Sequence, residues 1–346
     1  MTSPIGPERG DKTFRAERFK AGFAMTSSKD RALKERAARV IPGGMYGHQS
    51  AANLPDGFPQ FFSKAEGAYL WDADGNRLLD FMCAYGLQLF GYGNPAIDRA
   101  YVGQLAIGDA MTGPSHLMVD LAEALVSMIS HADWAMFCKN GTDANTIALM
   151  IARAHTKRTG VVRARGAYHG AAPWSNPRAG GVAPADQADQ HLCDYNDVGG
   201  LEAAVAAAGD NLAAIFAAPF KHDVFVDQAA PTQAFARRAR ELADQTGALL
   251  VVDDVRAGFR IARDCSWSIV GVEPDLSCWG KCIANGHPIS ALVGADKARA
   301  GAEAIFTTGS YWFAGAAMAA SLVTLAMIRD TGYLERIEGL GKRFRA

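Results

Sequence analysis

From about residue 115 the chain alternates amphipathic stretches with short runs that are apolar on both sides. Leu117 to Ile129 repeats apolar residues at helical spacing, WAMFC (134–138) has strand character, and Thr142 to His155 predicts a second helix. GVVRAR (160–165) predicts a strand, and LAAIFAAP (212–219) and ALLVVDD (248–254) predict strands buried on both faces. Between those last two, PTQAFARRARELADQTG opens on Pro231 and closes on Gly247, as a capped helix does. Helices alternating with buried strands predict an α/β domain with a mostly parallel central sheet.

Upstream the pattern is different. The first 30 residues or so are polar and predict an arm, followed by RALKERAARVIPGG, a short helix stopped by Pro42. GAYLWDADGNRLLDF (67–81) alternates apolar and polar residues around Asp74 and Gly75, a hairpin signal. The expected organisation is an N-terminal arm and small α+β segment over 1–85, a large domain over 86–330, and the start of a C-terminal small-domain segment over 331–346. FAGAAMAASLVTLAMI, from Phe313 to Ile328, falls short of the ~20 apolar residues of a membrane span and predicts a buried helix.

Composition narrows the function. The 346 residues hold 35 basic and 36 acidic side chains, net charge -1, so there is no basic footprint for nucleic acid or an anionic membrane. The six cysteines (Cys83, Cys138, Cys193, Cys265, Cys278, Cys282) are scattered, without zinc-site spacing or the density of a disulfide framework. The first 20 residues carry charge and proline in place of the apolar core of a secretory signal. The expected compartment is the cytoplasm, with reduced thiols and no metal.

Four segments carry candidate chemistry. PDLSCWGKCIANGHPISALVG places Lys281 between an apolar run and a glycine turn, where desolvation would lower its pKa and free the amine to form an imine. VVDDVRAGFR ends a buried strand on Asp253 and Asp254, and a protonated pyridine nitrogen would be a fitting partner for a buried carboxylate. A metal or a salt bridge to Arg256 or Arg260 would also serve. KNGTDANTIALMIARA puts the amides of Gly141, Thr142 and Asp143 at a helix N-terminus, either a phosphate site or an ordinary cap by Asn140 or Thr142. GAYHGAAPW follows a strand at the edge where α/β sheets bind ligands, so Tyr168, beside His169, either stacks on a flat ring or packs on its own strand. Lysine and carboxylate together suit pyridoxal phosphate.

Taken as an ordered set over residues 38 to 340, these segments resemble the class III pyridoxal phosphate aminotransferases, and within them the glutamate-1-semialdehyde aminomutase branch. The matching stretches are PGG (42–44), WDADGNRLLDF (71–81), NGTDA (140–144), AYHG (167–170), DDVRAGFR (253–260), GKCIANGHPISALVG (280–294) and TTGSYWFAGAAMAA (307–320). The resemblance implies a type I fold like that of aspartate aminotransferase, with pyridoxal 5'-phosphate as cofactor. Lys281 would form the internal aldimine and Asp253 would bind the pyridine nitrogen. Tyr168 and Val255 would sandwich the ring with His169 alongside, and Asn140, Gly141 and Thr142 would hold the phosphate. Ser310, next to Gly309, would reach the phosphate of a partner subunit in a homodimer.

The implied reaction moves an amino group from a small-molecule amino donor to a carbonyl acceptor. A 1,2-aminomutase, a racemase or decarboxylase, and a truncated chain that binds the cofactor or dimerises without catalysis are the other readings. Several positions depart from the pattern. The glutamate usual after the strand-end aspartate is Asp254, Ala218 replaces an acidic residue before Pro219, and Asp223 stands where the aminomutases resemble an asparagine. The loop after PGG, MYGHQSAANLP, lacks the arginine that grips a substrate carboxylate in the aminomutases. Tyr85, Tyr46, His48, Asp223 and Asp254 are the substrate-pocket candidates, with core or interface packing the alternative for the two tyrosines. Members of the family continue for several dozen residues past the position matching Ala346.

Overall fold

The structure is a computed structural model that describes residues 28–50, 53–55, 57–178, 180–221 and 228–346. The arm expected at the N-terminus lies largely, and Asp223 wholly, outside the described residues. The chain divides into two compact units, Met1–Phe81 and Met82–Ala346.

The described part of the first unit holds helix α1 (Ser28–Val40) and the antiparallel strands β1 (Phe62–Glu66), β2 (Tyr69–Asp72) and β3 (Arg77–Leu79). The β2–β3 turn is the hairpin expected at Asp74 and Gly75. The buried Asp72 carboxylate organises it, accepting from the amides of Asp74 and Asn76 at 2.9 and 2.8 Å. The Asp74 carboxylate in turn accepts from the amides that start α1, Lys29 and Asp30.

The second unit runs α2 (Pro95–Ile107), α3 (Leu117–Met128), β4 (Trp134–Cys138), α4 (Gly141–Thr156), β5 (Gly160–Ala164) and β6 (Gln190–Cys193). It continues with α5 (Val198–Ala208), β7 (Leu212–Ala217), α6 (Gln233–Thr246), β8 (Leu249–Asp253), β9 (Leu276–Trp279) and β10 (Ser290–Gly294), and ends with α7 (Arg299–Glu303), α8 (Gly315–Asp330) and α9 (Tyr333–Arg345). Its seven strands form one sheet in the order β4-β10-β9-β8-β7-β5-β6. All neighbours are parallel except β10, which runs against both β4 and β9. The connection from β9 to β10, residues 280–289, is shorter than the dozen or so residues a parallel crossover needs, so β10 must return antiparallel. That short connection is the one that carries Lys281.

The apolar runs behave as two-sided strands. Along β8, Leu249 and Val251 join the core cluster under α4, while Leu250 and Val252 join the larger cluster that includes residues of α3, α5, α6 and α8. α8 is the alanine-rich helix expected to be buried, and most of its residues are. α6 is capped by Thr232, whose hydroxyl accepts from the Phe235 amide, so Pro231 stands one residue before the cap rather than in the first turn.

The same alternation separates the two aspartates that end β8. Asp253 follows Leu249 and Val251 toward α4, whereas Asp254 follows Leu250 and Val252 to the other side. There Asp254 is 1% exposed and accepts from the Ser266 amide at 2.8 Å, and its Oδ1 is buried without a partner. This enclosure leaves no surface for a substrate, so the pocket role expected of Asp254 gives way to a structural one. Burial raises its carboxyl from the usual carboxylate range to about 6, and hydrogen bonds from Ser266 only partly offset the effect.

Because its folded value lies above the unfolded one, Asp254 favours the folded state at pH 4 and below, and the contribution is lost as pH rises through about 6. Asp254→Asn has no charge to bury and still accepts from Ser266. It is therefore expected to gain stability on the parent between pH 4 and 8, by about 2–3 kcal/mol. Unfolding midpoints taken across that range check this, and a difference that does not vary with pH would refute it.

Candidate active site

Lys281 opens the turn Lys281–Ala284 directly after β9, with its own backbone left-handed at φ 49°. Burial holds its ammonium below the ordinary lysine value, the Arg256 cation pushes the same way, and Asp253 opposes them in part. A lysine so placed yields a neutral amine more readily than one in water, as imine formation requires.

Asp253 is 7% exposed and doubly anchored on one oxygen. Its Oδ2 accepts from Asn145 Nδ2 and is paired with His169 Nδ1, both at 2.9 Å. A carboxylate only accepts, so Nδ1 carries a proton toward it, and the buried Nε2 has no hydrogen-bond partner among the described residues. The imidazole is itself fixed by rings, lying parallel to Trp174 at 6.3 Å and tilted against Phe216 at 5.4 Å. Hydrogen bonds to a charged group contribute about 1.5–3 kcal/mol each, enough to set the carboxylate's rotation. The other oxygen, Oδ1, accepts from the Val255 amide at 3.2 Å and keeps capacity for a further donor.

The N-terminus of α4 lies across from this strand end. Asn140 is the cap, accepting from the Asp143 amide at 3.0 Å, so the amides of Gly141 and Thr142 fall in the first turn, where no intrahelical acceptor exists. Gly141 permits a close approach, since a Cβ there would lie 2.8 Å from Val255 Cγ1. The Thr142 hydroxyl accepts from the Ala171 amide at 3.0 Å, tying the Tyr168–Ala171 loop to the helix start while its own proton stays available to donate. Tyr168, in that loop, is 44% exposed.

A second strained element lies beside the lysine. Cys83, Ala84 and Tyr85 take φ of 49°, 50° and 59°, and Gly86 follows at 87°. Left-handed backbone costs about 1–2 kcal/mol per non-glycine residue, so such a run persists only where neighbours impose it. Arg260 and Asn285 hold the segment that leaves it. Arg260 Nη2 donates to the carbonyls of Gly86 and Gln88 at 2.6 and 3.1 Å, and Asn285 Oδ1 accepts from the amides of Leu89 and Phe90, both at 2.8 Å. Tyr85, a pocket candidate, rides on this turn.

The structure thus gathers Asp253 with His169, Gly141 with Val255, and Thr142 with the Tyr168 loop. Gly309 and Ser310 lie in the segment ahead of α8, with Ser310 exposed. Tyr46 and His48 belong to the first unit, where Tyr46 is exposed. Sequence reasoning missed Asn145 and the holding role of Arg260. Asn145 had a legible signal, being polar among Ala144, Ile147, Ala148 and Ile151 on the buried part of α4. The Arg260 contacts had none, because they join residues far apart in the chain.

These groups fit pyridoxal phosphate on the chemistry present: an amine with a lowered pKa, a buried carboxylate with a spare acceptor oxygen, and a helix N-terminus with unpaired amides. Comparisons with known proteins agree. The family model described as aminotransferase class-III matches residues 51–346. The chain is 56% identical to an aminopentol aminotransferase of Sphingopyxis macrogoltabida over 93% of this chain and 76% of that protein. It is also 32% identical to a glutamate-1-semialdehyde 2,1-aminomutase of Neisseria gonorrhoeae, over 90% of this chain and 76% of that one. A solved structure, the pyridoxal phosphate internal aldimine form of the FumI protein of Sphingopyxis sp. MTA144, superposes with TM-score 0.91 at 55% identity, covering 92% of this chain and 77% of that one. This chain belongs to the class III aminotransferases, enzymes of the type I fold that use pyridoxal phosphate to move an amino group between small molecules.

Proposed function

We propose that Lys281 is the residue that holds the cofactor covalently and that Asp253, oriented by His169 and Asn145, binds its ring nitrogen. The observation that carries this reading is the double anchoring of Asp253 Oδ2, which leaves Oδ1 as the oxygen with room for another donor. Tyr168 and Val255 would flank the ring, and the amides of Gly141 and Thr142, with the Thr142 hydroxyl and the Asn140 cap, would hold the phosphate. When bound, pyridoxal phosphate supplies an electron sink that acidifies the carbon bearing the donor's amino group.

The protein's own work is binding, orientation and proton transfer. Lys281 Nζ, once displaced by the donor's amine and kept neutral more readily by burial, would take the proton from that carbon and pass it to the cofactor carbon that accepts the amino group. Asn145 and His169 fix the Asp253 carboxylate in place, so a protonated ring nitrogen would find an oriented acceptor there. Amino transfer between an aliphatic amine donor and a carbonyl acceptor is the reaction best supported. The donor resembles the aminopentol named for the relative at 56% identity, and the loop after PGG holds no arginine to grip a substrate acid. A homodimer with Ser310 reaching the partner's cofactor phosphate is supported by the segment around it, where Phe306 and Tyr311 are 87% and 70% exposed. A cytoplasmic setting accords with six unbridged cysteines; among the described residues no helix is long and apolar enough to cross a membrane.

Borohydride reduction of the loaded enzyme followed by peptide mapping is expected to label Lys281, and labelling elsewhere would sink the assignment. Lys281→Ala should lower turnover by roughly 10³-fold or more, since it removes both the covalent anchor and the proton carrier. Asp253→Asn is expected to cost about 10²–10³-fold in kcat with the fold intact, because the neutral amide no longer favours a protonated ring. Steady-state kinetics on protein whose circular dichroism matches the parent decide this. A panel of donors should show aliphatic amines used in preference to amino acids, and the reverse preference would overturn the substrate class.

A further inference from the structure

We infer that Arg260 is a positioning residue: it holds the left-handed turn Cys83–Gly86 against the stem of Lys281 and so sets the room beside the lysine for the amine donor. The inference rests on the reading that Lys281 holds the cofactor. Cys83, Ala84 and Tyr85 are all left-handed ahead of Gly86, a run that no preference of their own maintains. It needs an external restraint, and Arg260 Nη2 donates to the Gly86 carbonyl at 2.6 Å. The same nitrogen reaches the Gln88 carbonyl at 3.1 Å, so one planar guanidinium spans the exit of the turn.

The exit is also tied to the lysine's own turn. Asn285, which caps Lys281–Ala284, accepts from the amides of Leu89 and Phe90 and donates to the Gly91 carbonyl at 2.9 Å. Segment 86–91 is therefore fastened at one end by Arg260, from the loop after β8, and along its length by Asn285, from the loop after β9. The consequence shows at Gly86, where a Cβ would lie 3.6 Å from Lys281 Cδ and 3.8 Å from Arg260 Nη2. A methyl added there would thus meet both the lysine stem and the arginine that grips the turn's exit. Tyr85 precedes that contact, so a displaced turn would carry its ring along. A lysine side chain ends one bond short of the Nη2 position, so after Arg260→Lys the two carbonyls would lose their common partner.

Arg260→Lys and Gly86→Ala test this in opposite directions on the cofactor-loaded enzyme. Each is assayed beside the parent with a short primary amine and a long branched one, and amide hydrogen exchange is followed over residues 83–91. Arg260→Lys is expected to speed exchange in that segment and to shift the ratio of kcat/KM for the long over the short donor roughly 5- to 10-fold toward the long one. Gly86→Ala, whose methyl would sit 3.6 Å from Lys281 Cδ on a backbone at φ 87° that alanine takes only under strain, should shift the ratio toward the short donor. A role in folding alone would lower both donors equally, so a ratio unmoved in both variants overturns the inference whatever the total activity. Parent enzyme in which borohydride fails to label Lys281 would instead remove the reading on which the inference stands.

Discussion

A carboxylate buried at the end of a central strand is the constraint around which the second unit is organised. Asp253 is nearly enclosed and carried by the strand in the middle of a seven-stranded sheet, where a carboxylate without partners would be costly by several kcal/mol. Its partners come from two elements far apart in sequence, Asn145 on α4 and His169 on the loop after β5. Both must arrive for the strand end to be tolerable, and both use the same oxygen. What remains is an acceptor aimed by elimination, beside a lysine whose charge burial disfavours.

The scaffold supplies this arrangement through sheet geometry. Parallel strands bring β5 and β8 to the same edge, and the short link from β9 to β10 turns the chain back before Lys281 can be carried away on a helix. Strand alternation sends two adjacent aspartates to opposite faces of the sheet. Asp253 faces α4, and Asp254, one residue on, accepts from the Ser266 amide in a different core. Backbone strain also lies near the lysine: the left-handed run Cys83–Gly86 leads into a segment gripped by Arg260 at Gly86 and by Asn285 at Leu89–Gly91.

Much of this was legible in the sequence. The buried strands LAAIFA and LLVVD, the capped helix before β8, the Asp74–Gly75 hairpin and the alanine-rich buried helix all follow from periodicity and turn residues, because their causes are local. The ordered motifs around Lys281, Asp253 and Gly141 carried the family. What sequence alone misjudged was Asp254, where residue type suggested a pocket and strand parity placed it in the core. Asn145 was hidden because its partner lies 108 positions away, although a lone amide on an apolar helix face was a readable sign. The left-handed turn left no trace, since cysteine, alanine and tyrosine carry no preference for positive φ.

The central claim is that Asp253, fixed through one oxygen, keeps the cofactor's ring nitrogen protonated. Nitrogen-15 NMR of the holoenzyme loaded with ring-labelled pyridoxal phosphate tests it most directly. The account predicts a protonated nitrogen near neutral pH in the parent and a deprotonated one in Asp253→Asn. An unprotonated nitrogen in the parent would contradict it.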